Sequence, residues 1–130
     1  MAETTNKTTV TTKAKKKMVQ ARAGIIALPK IVGMVFGDGG VDSLDQVKPH
    51  SADQNTLHHE LLRKTVDGHE VISDTVIRYR CTLGANELPN AYISEVGLYD
   101  ADGDLVAMKA FLKKGKDADM EVTFECDDTF

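Results

Sequence analysis

Tryptophan is absent from this chain, and the aromatic residues together fill only 5% of its 130 positions. A core built without them must rest on Val, Ile, Leu, Met and Ala. The same scarcity weighs against a sugar-binding face, because sugar rings usually pack on aromatic ones. Two cysteines are too few for the disulfide framework of a small secreted scaffold. No stretch approaches the roughly 20 consecutive apolar residues that a membrane-spanning helix requires. The Thr- and Lys-rich N-terminus has no apolar signal region, so a chain made and kept in the cytoplasm is expected. There Cys81 and Cys126 are expected to be reduced and buried rather than bridged.

What is present fits one ordinary globular unit. Apolar residues make up 42% of the chain and charged residues 28%. A chain of this size buries about two-thirds of the surface it exposes when unfolded. The expected layout is a Thr-rich arm over residues 1–12, followed by a single domain over 13–130. The net charge of −4 conceals a split. Residues 1–22 hold Lys7, Lys13, Lys15, Lys16, Lys17 and Arg22 against Glu3 alone, a balance of +5; the remainder stands at −9. A basic arm on an acidic body implies that the arm meets an acidic surface, on its own fold or on a neighbouring subunit.

Residues 1–12 lack apolar periodicity and are expected to be ordered only by docking. From Lys13 to Arg22 the composition favours a helix, with Thr12 available as N-cap, Gly24 as C-cap, and Ala14, Met18 and Ala21 on one inward stripe. Lys30–Phe36 reads as a strand, and Gly37-Asp38-Gly39-Gly40 as a sharp surface loop. Asp42–Asp53 is a polar connection. Over Thr56–Lys64 the spacing of Leu57 and Leu61 predicts a short helix, with Glu60 paired to Lys64. Asp67-Gly68 reads as a turn between short strands.

Thr75–Leu83 alternates, with Ile77, Tyr79, Cys81 and Leu83 on one face and Arg78, Arg80 and Thr82 on the other. Tyr92–Tyr99 and Leu105–Leu112 flank an Asp102-Gly103 turn, a strong hairpin signal. Met120–Cys126 alternates apolar and acidic residues, which predicts one core face and one solvated acidic stripe. The expected fold class is α+β: an N-terminal helix and short helices packed on an antiparallel β-meander or sandwich-like sheet.

Chemistry is hard to find. Asp100, Asp102 and Asp104 stand at the alternate positions that open a calcium loop, but Leu105 and Phe111 occupy the places where such a loop needs glycine and a bidentate acid. The glycine-rich loop lacks the spacing of a phosphate cradle, and its Asp38 would repel phosphate. His58 and His59 do not form a His-Glu-x-x-His arrangement, and no serine sits in a nucleophile elbow. No catalytic residue, metal site or cofactor is expected. The lysine cluster has no interleaved aromatics for stacking bases, so nucleic acid is not the expected partner. The candidate contacts for a protein partner are Lys13, Lys15, Lys16, Lys17, Arg22 and Asp38.

Several blocks together resemble the phage tail-collar fibre family. They are Ala21–Ile31, Met34–Asp42 with its Phe-Gly-Asp-Gly-Gly loop, Asn55–Lys64, the hairpin Ile93–Ala107 and the ending Phe124–Phe130. The resemblance covers about residues 13–130. It implies a non-enzymatic structural module of the virion tail, assembled in the bacterial host cytoplasm and attaching fibre to baseplate or neighbouring tail proteins. A homo-oligomer, with a trimer natural for fibres, would follow. No shaft or tip follows Phe130, which favours an adaptor over direct receptor contact. The alternative is a small glycan-binding module of the tail tip.

Overall fold

The structure, a computed structural model, describes residues 8–130. Its centre is the hairpin of β6 (Ala91–Asp100) and β7 (Leu105–Lys116), closed by Gly103 at a φ of 85°. Both outer edges of this hairpin are occupied. β2 (Ile31–Gly37) pairs with β6, and β3 (Glu60–Thr65) pairs with β2 beyond it. The two-residue β1 (Thr9–Val10) lies on β7. A second antiparallel sheet holds β4 (Gly68–Ser73), β5 (Val76–Leu83) and β8 (Val122–Thr129) in that order.

The core lies between the sheets. Met34, Phe36, Val96 and Leu98 from one sheet meet Cys81, Leu83, Phe124 and Cys126 from the other, all buried. Phe36 meets Phe124 edge-on at 5.4 Å between ring centroids, in the geometry aromatic pairs prefer. A smaller cluster of Val35, Leu57, Leu105 and Met108 gathers against the first sheet. Both cysteines are buried and unbridged, and burial pushes their thiols up to about 11 for Cys81 and about 12 for Cys126.

The fold is therefore β-dominated, with two sheets and, among the described residues, one helix. This corrects the expected α+β class in two places. Residues 56–64 form no helix: Glu60–Thr65 is strand, paired with the edge of β2. The N–H groups of His58 and His59 donate to Glu95, and Asp38 N–H donates to the His59 carbonyl, so the local helical pattern has lost its bonds. Long-range pairing overrides the Leu57/Leu61 spacing. Leu57 instead plugs the small cluster, Glu60 pairs with Arg63, and Lys64 reaches Glu87.

The second correction concerns the meander. β5 and β8 do not continue the hairpin's sheet; they pair with each other over Val76–Leu83 and Val122–Thr129. Their outward faces explain why. Arg78 faces Asp127 at 2.8 Å, Arg80 faces Glu125 at 2.7 Å, and the Thr82 and Thr123 hydroxyls meet at 2.8 Å. The acidic stripe of β8 is thus matched by the arginine stripe of β5, and such directly opposed pairs stabilise a register. Asp67-Gly68 does turn the chain, but it carries it from one sheet to the other, because β3 and β4 are not partners.

Helix α1 (Thr12–Arg22) is capped by Thr11, one residue earlier than expected. The Thr11 hydroxyl accepts from Ala14 N–H at 3.1 Å and donates to the Leu105 carbonyl at 2.9 Å. Thr12 is spent elsewhere, donating to Asp53. The far end closes in a Schellman pattern: Gly24 N–H donates to Ala21 and Ile25 N–H to Gln20, with Gly24 at a φ of 79° that suits glycine. Because Thr11 is fully buried and uses its hydroxyl twice, Thr11→Val should lower unfolding stability by about 1–2 kcal/mol. A shifted denaturation midpoint at unchanged slope is the expected readout.

Candidate partner interface

The acidic turn and the basic helix prove to be two halves of one ion cluster. Asp100 starts the turn, and its Oδ1 accepts from the N–H groups of Asp102 and Asp104, which draws the three carboxylates together. Their oxygens lie within 4.8 Å of one another, close enough to hold a cation. The cation there is the ammonium of Lys17, at 2.6 Å from Asp100, 3.1 Å from Asp102 and 2.7 Å from Asp104. Lys13 adds a fourth contact, 3.1 Å to Asp104.

Burial pulls the Lys17 ammonium downward, but hydrogen bonds to Asp100, Asp104 and Asp102 outweigh it and leave its pKa raised. The same bonds from Lys17 and Lys13 hold Asp104 below the ordinary carboxylate range. The basic arm thus meets an acidic surface on its own fold, at least through Lys13 and Lys17. The alternate-acid spacing, which resembled a calcium loop, is the spacing that surrounds an ammonium.

The six candidate contact residues therefore divide. Lys17 is 12% exposed and Lys13 is tied to the turn. Asp38 is bonded to the ring of His59, whose pKa it raises, and lies at the opposite end of β2 from the helix junction. Lys15, Lys16 and Arg22 stay exposed, with no salt bridge among the described residues. They share the outer surface of α1 with Val19, 65% exposed, and are followed by Ile25 at 69% and Leu28 at 54%. Positions 15, 19 and 22 fall on one helical face. Three cations and Val19 are thus exposed on the helix, and Ile25 and Leu28 in the chain that follows it.

A second constellation was not foreseen. Glu95 lies fully buried in the middle of β6, and its carboxylate accepts four hydrogen bonds. They come from the N–H groups of Gly39 (2.9 Å), His58 (2.9 Å) and His59 (2.8 Å) and from the ring of His50 (2.8 Å). Beside it, Gly40 N–H donates to the Ser94 hydroxyl at 2.8 Å. A Cβ on Gly40 would stand 1.9 Å from the Ser94 carbonyl oxygen, so only glycine fits there. Burial pushes Glu95 up, yet the bonds from His50, His59, His58 and Gly39 prevail and hold it below its ordinary value.

The glycine-rich loop is thus an anion cradle whose anion is the protein's own carboxylate. It fastens the long connection between β2 and β3 to the sheet. A hint was available in the sequence, namely one charge inside the run Ile93-Ser94-Glu95-Val96-Gly97-Leu98. His50, distant in sequence and alone in a polar loop, offered none.

Two of these pieces, the Phe-Gly-Asp-Gly-Gly loop seated on β6 and the acidic hairpin turn, lie in the blocks whose resemblance was noted above, and the basic helix that answers the turn runs into the first of those blocks at Ala21. The family model "Phage tail-collar fibre protein, N-terminal" matches residues 1–125. The chain belongs to this family. Comparison with curated proteins and with solved structures returns no match to either. As a tail-collar fibre protein it is a structural component of the phage virion tail, assembled in the host. Within the tail-collar fibre domain, the Glu95 cradle and the Lys17 cluster are internal fastenings. The outer face of α1 stays exposed.

Proposed function

We propose that this tail-collar fibre protein is an adaptor, joining fibre and tail subunits at the baseplate or fibre-attachment end of the tail. The observation that carries the reading is the outer face of α1, where Lys15, Lys16 and Arg22 stand beside exposed Val19, with Ile25 and Leu28 exposed in the segment that follows. Unmatched cations beside bare aliphatic groups suit an acidic protein surface with apolar pockets, the charges steering encounter and the aliphatic groups supplying contact area. The two antiparallel sheets supply a rigid body behind that face. In this reading the domain works as a cyclic homo-oligomer, with a trimer matching fibre symmetry.

The test is a triple charge reversal, Lys15→Glu, Lys16→Glu and Arg22→Glu, supplied to phage deprived of the wild-type protein. These exposed positions should leave stability within about 0.5 kcal/mol. Incorporation into particles should fall by about tenfold or more, the equivalent of losing about 1.4 kcal/mol of binding. Normal incorporation of the folded triple variant would remove the role assigned to this face.

A further inference from the structure

The long connection between β2 and β3 presents one large side chain that the fold does not use. Leu44 is 77% exposed, more than any other large apolar residue described. Its turn is closely bonded. Val41 pairs with Val47, Asp42 N–H donates to the Gln46 carbonyl at 2.9 Å, and the Asp42 carboxylate accepts from the N–H groups of Leu44 (2.8 Å) and Gln46 (3.0 Å). The bonds from Gln46 and Leu44 hold Asp42 below the ordinary carboxylate range, so it stays charged. Asp45 follows at a φ of 59°. An aliphatic knob is thus fixed between two carboxylates, and a surface fixed before contact loses little freedom on docking.

The outer side of α1 has the converse make-up. Lys15, Lys16 and Arg22 lie exposed beside Val19, with no salt bridge among the described residues. A recess of about 60 Å³ opens beside the helix, lined by Ala14, Met18, Leu28, Ile31 and Phe130. Of the carboxylates on its wall, Asp100 is bonded to Lys17, which leaves Asp128 against the three cations of the helix. Both halves are exposed, so neither covers the other within one chain. They also lie far apart. Asp45 is 3.4 Å from Lys113, and β7 runs roughly 26 Å from there back to Leu105, beside the turn that Lys17 closes.

A second copy brings the complementary half to each. We propose that the Leu44 turn of one copy docks on the outer side of α1 of the next, with Leu44 in the apolar recess and Asp42 and Asp45 facing Lys15, Lys16 and Arg22. Opposite charge sets the approach, and the aliphatic groups supply the contact. The two surfaces differ, so the contact is heterologous, the kind that generates rings. Such a contact, which rests on the adaptor reading given above, makes the basic face of α1 a joint between copies.

Introduced cysteines read the contact directly, because Cys81 and Cys126 are buried. Leu44→Cys mixed with Val19→Cys or with Leu28→Cys under mild oxidation should give a disulfide-linked species of twice 14.2 kDa. Its yield should be at least about tenfold that of Leu44→Cys mixed with Val71→Cys, an equally accessible position on β4. Leu44→Ser, a substitution in full contact with water, should leave the denaturation midpoint unchanged and weaken self-association of the full chain at least about tenfold by sedimentation. Cross-linking no greater than with Val71→Cys, a wild-type chain that stays at 14.2 kDa at every concentration, or association unchanged by Leu44→Ser would each overturn the contact. Should the triple charge reversal still lower incorporation into particles in any of those cases, the adaptor role stands without it.

Discussion

Glu95→Gln should lower unfolding stability by about 3 kcal/mol at pH 7, the scale observed when one partner of a buried charged network is removed. The carboxylate is fully buried and receives four donors. An amide of the same shape offers one acceptor oxygen and turns an NH2 group toward N–H donors, leaving some of them unsatisfied at about 1–3 kcal/mol apiece. The effect should reach Gly39, His50 and His58 first, because their bonds to β6 end on this carboxylate, whereas Gly40 keeps its own bond to Ser94. Faster amide exchange there than in β7 would confirm the order of loss.

The pH dependence gives the same substitution a second readout. Glu95 is held below its ordinary value in the folded protein, so the unfolded chain binds its proton first as pH falls. Its contribution is complete above the ordinary carboxylate pKa, near 4.5, and is lost as pH drops from there through the lowered folded value. Wild type should therefore lose stability steeply below about pH 4.5. Glu95→Gln should show a shallower acid limb, with Asp104, Asp42 and Glu87, all likewise lowered, accounting for what remains. Denaturant titrations of both proteins between pH 7 and pH 3 measure the difference. Parallel acid limbs would show that Glu95 does not titrate with folding.

Lys17→Met is the other large effect, expected at about 3 kcal/mol in low salt. The methionine keeps most of the stem's packing but removes the ammonium, so Asp100, Asp102 and Asp104 face one another with only Lys13 to offset them. Like charges held within a few ångströms repel, and that repulsion is screened by salt. Raising the ionic strength should accordingly stabilise Lys17→Met, while wild type changes little or weakens. Loss should concentrate in the docking of α1. A variant as stable as wild type at low salt would show that Thr11, β1 and Ala14 hold the helix without the ion cluster.

How much was legible followed from the range of the interactions. Alternation over Thr75–Leu83, the Asp102-Gly103 turn and the Gly24 cap are local patterns, and each appears in the structure where its residues predicted it, while the strand expected over Met120–Cys126 forms two to three residues later, at Val122–Thr129. Residues 56–64 failed because the helical spacing of two leucines is a weak preference. Pairing with β2 and two N–H bonds to Glu95 overrode it. The basic helix and the acidic turn were each visible, but their meeting across more than eighty residues of chain was not. Of the six candidate contact residues, that meeting engages Lys13 and Lys17 and leaves Lys15, Lys16 and Arg22 exposed.

The hairpin at the centre of the first sheet, the strands that alternate and the membership of the tail-collar fibre family all lay in the order of residues. Short-range backbone preference and motif content are properties of contiguous chain, so folding was not needed to read them. Only the tertiary structure decided which strands share a sheet, that Glu95 anchors the glycine-rich loop, and that the acidic turn encloses an ammonium. Those outcomes depend on burial and on partners brought together from distant segments. A buried charge declares its role only once the groups that neutralise it have arrived.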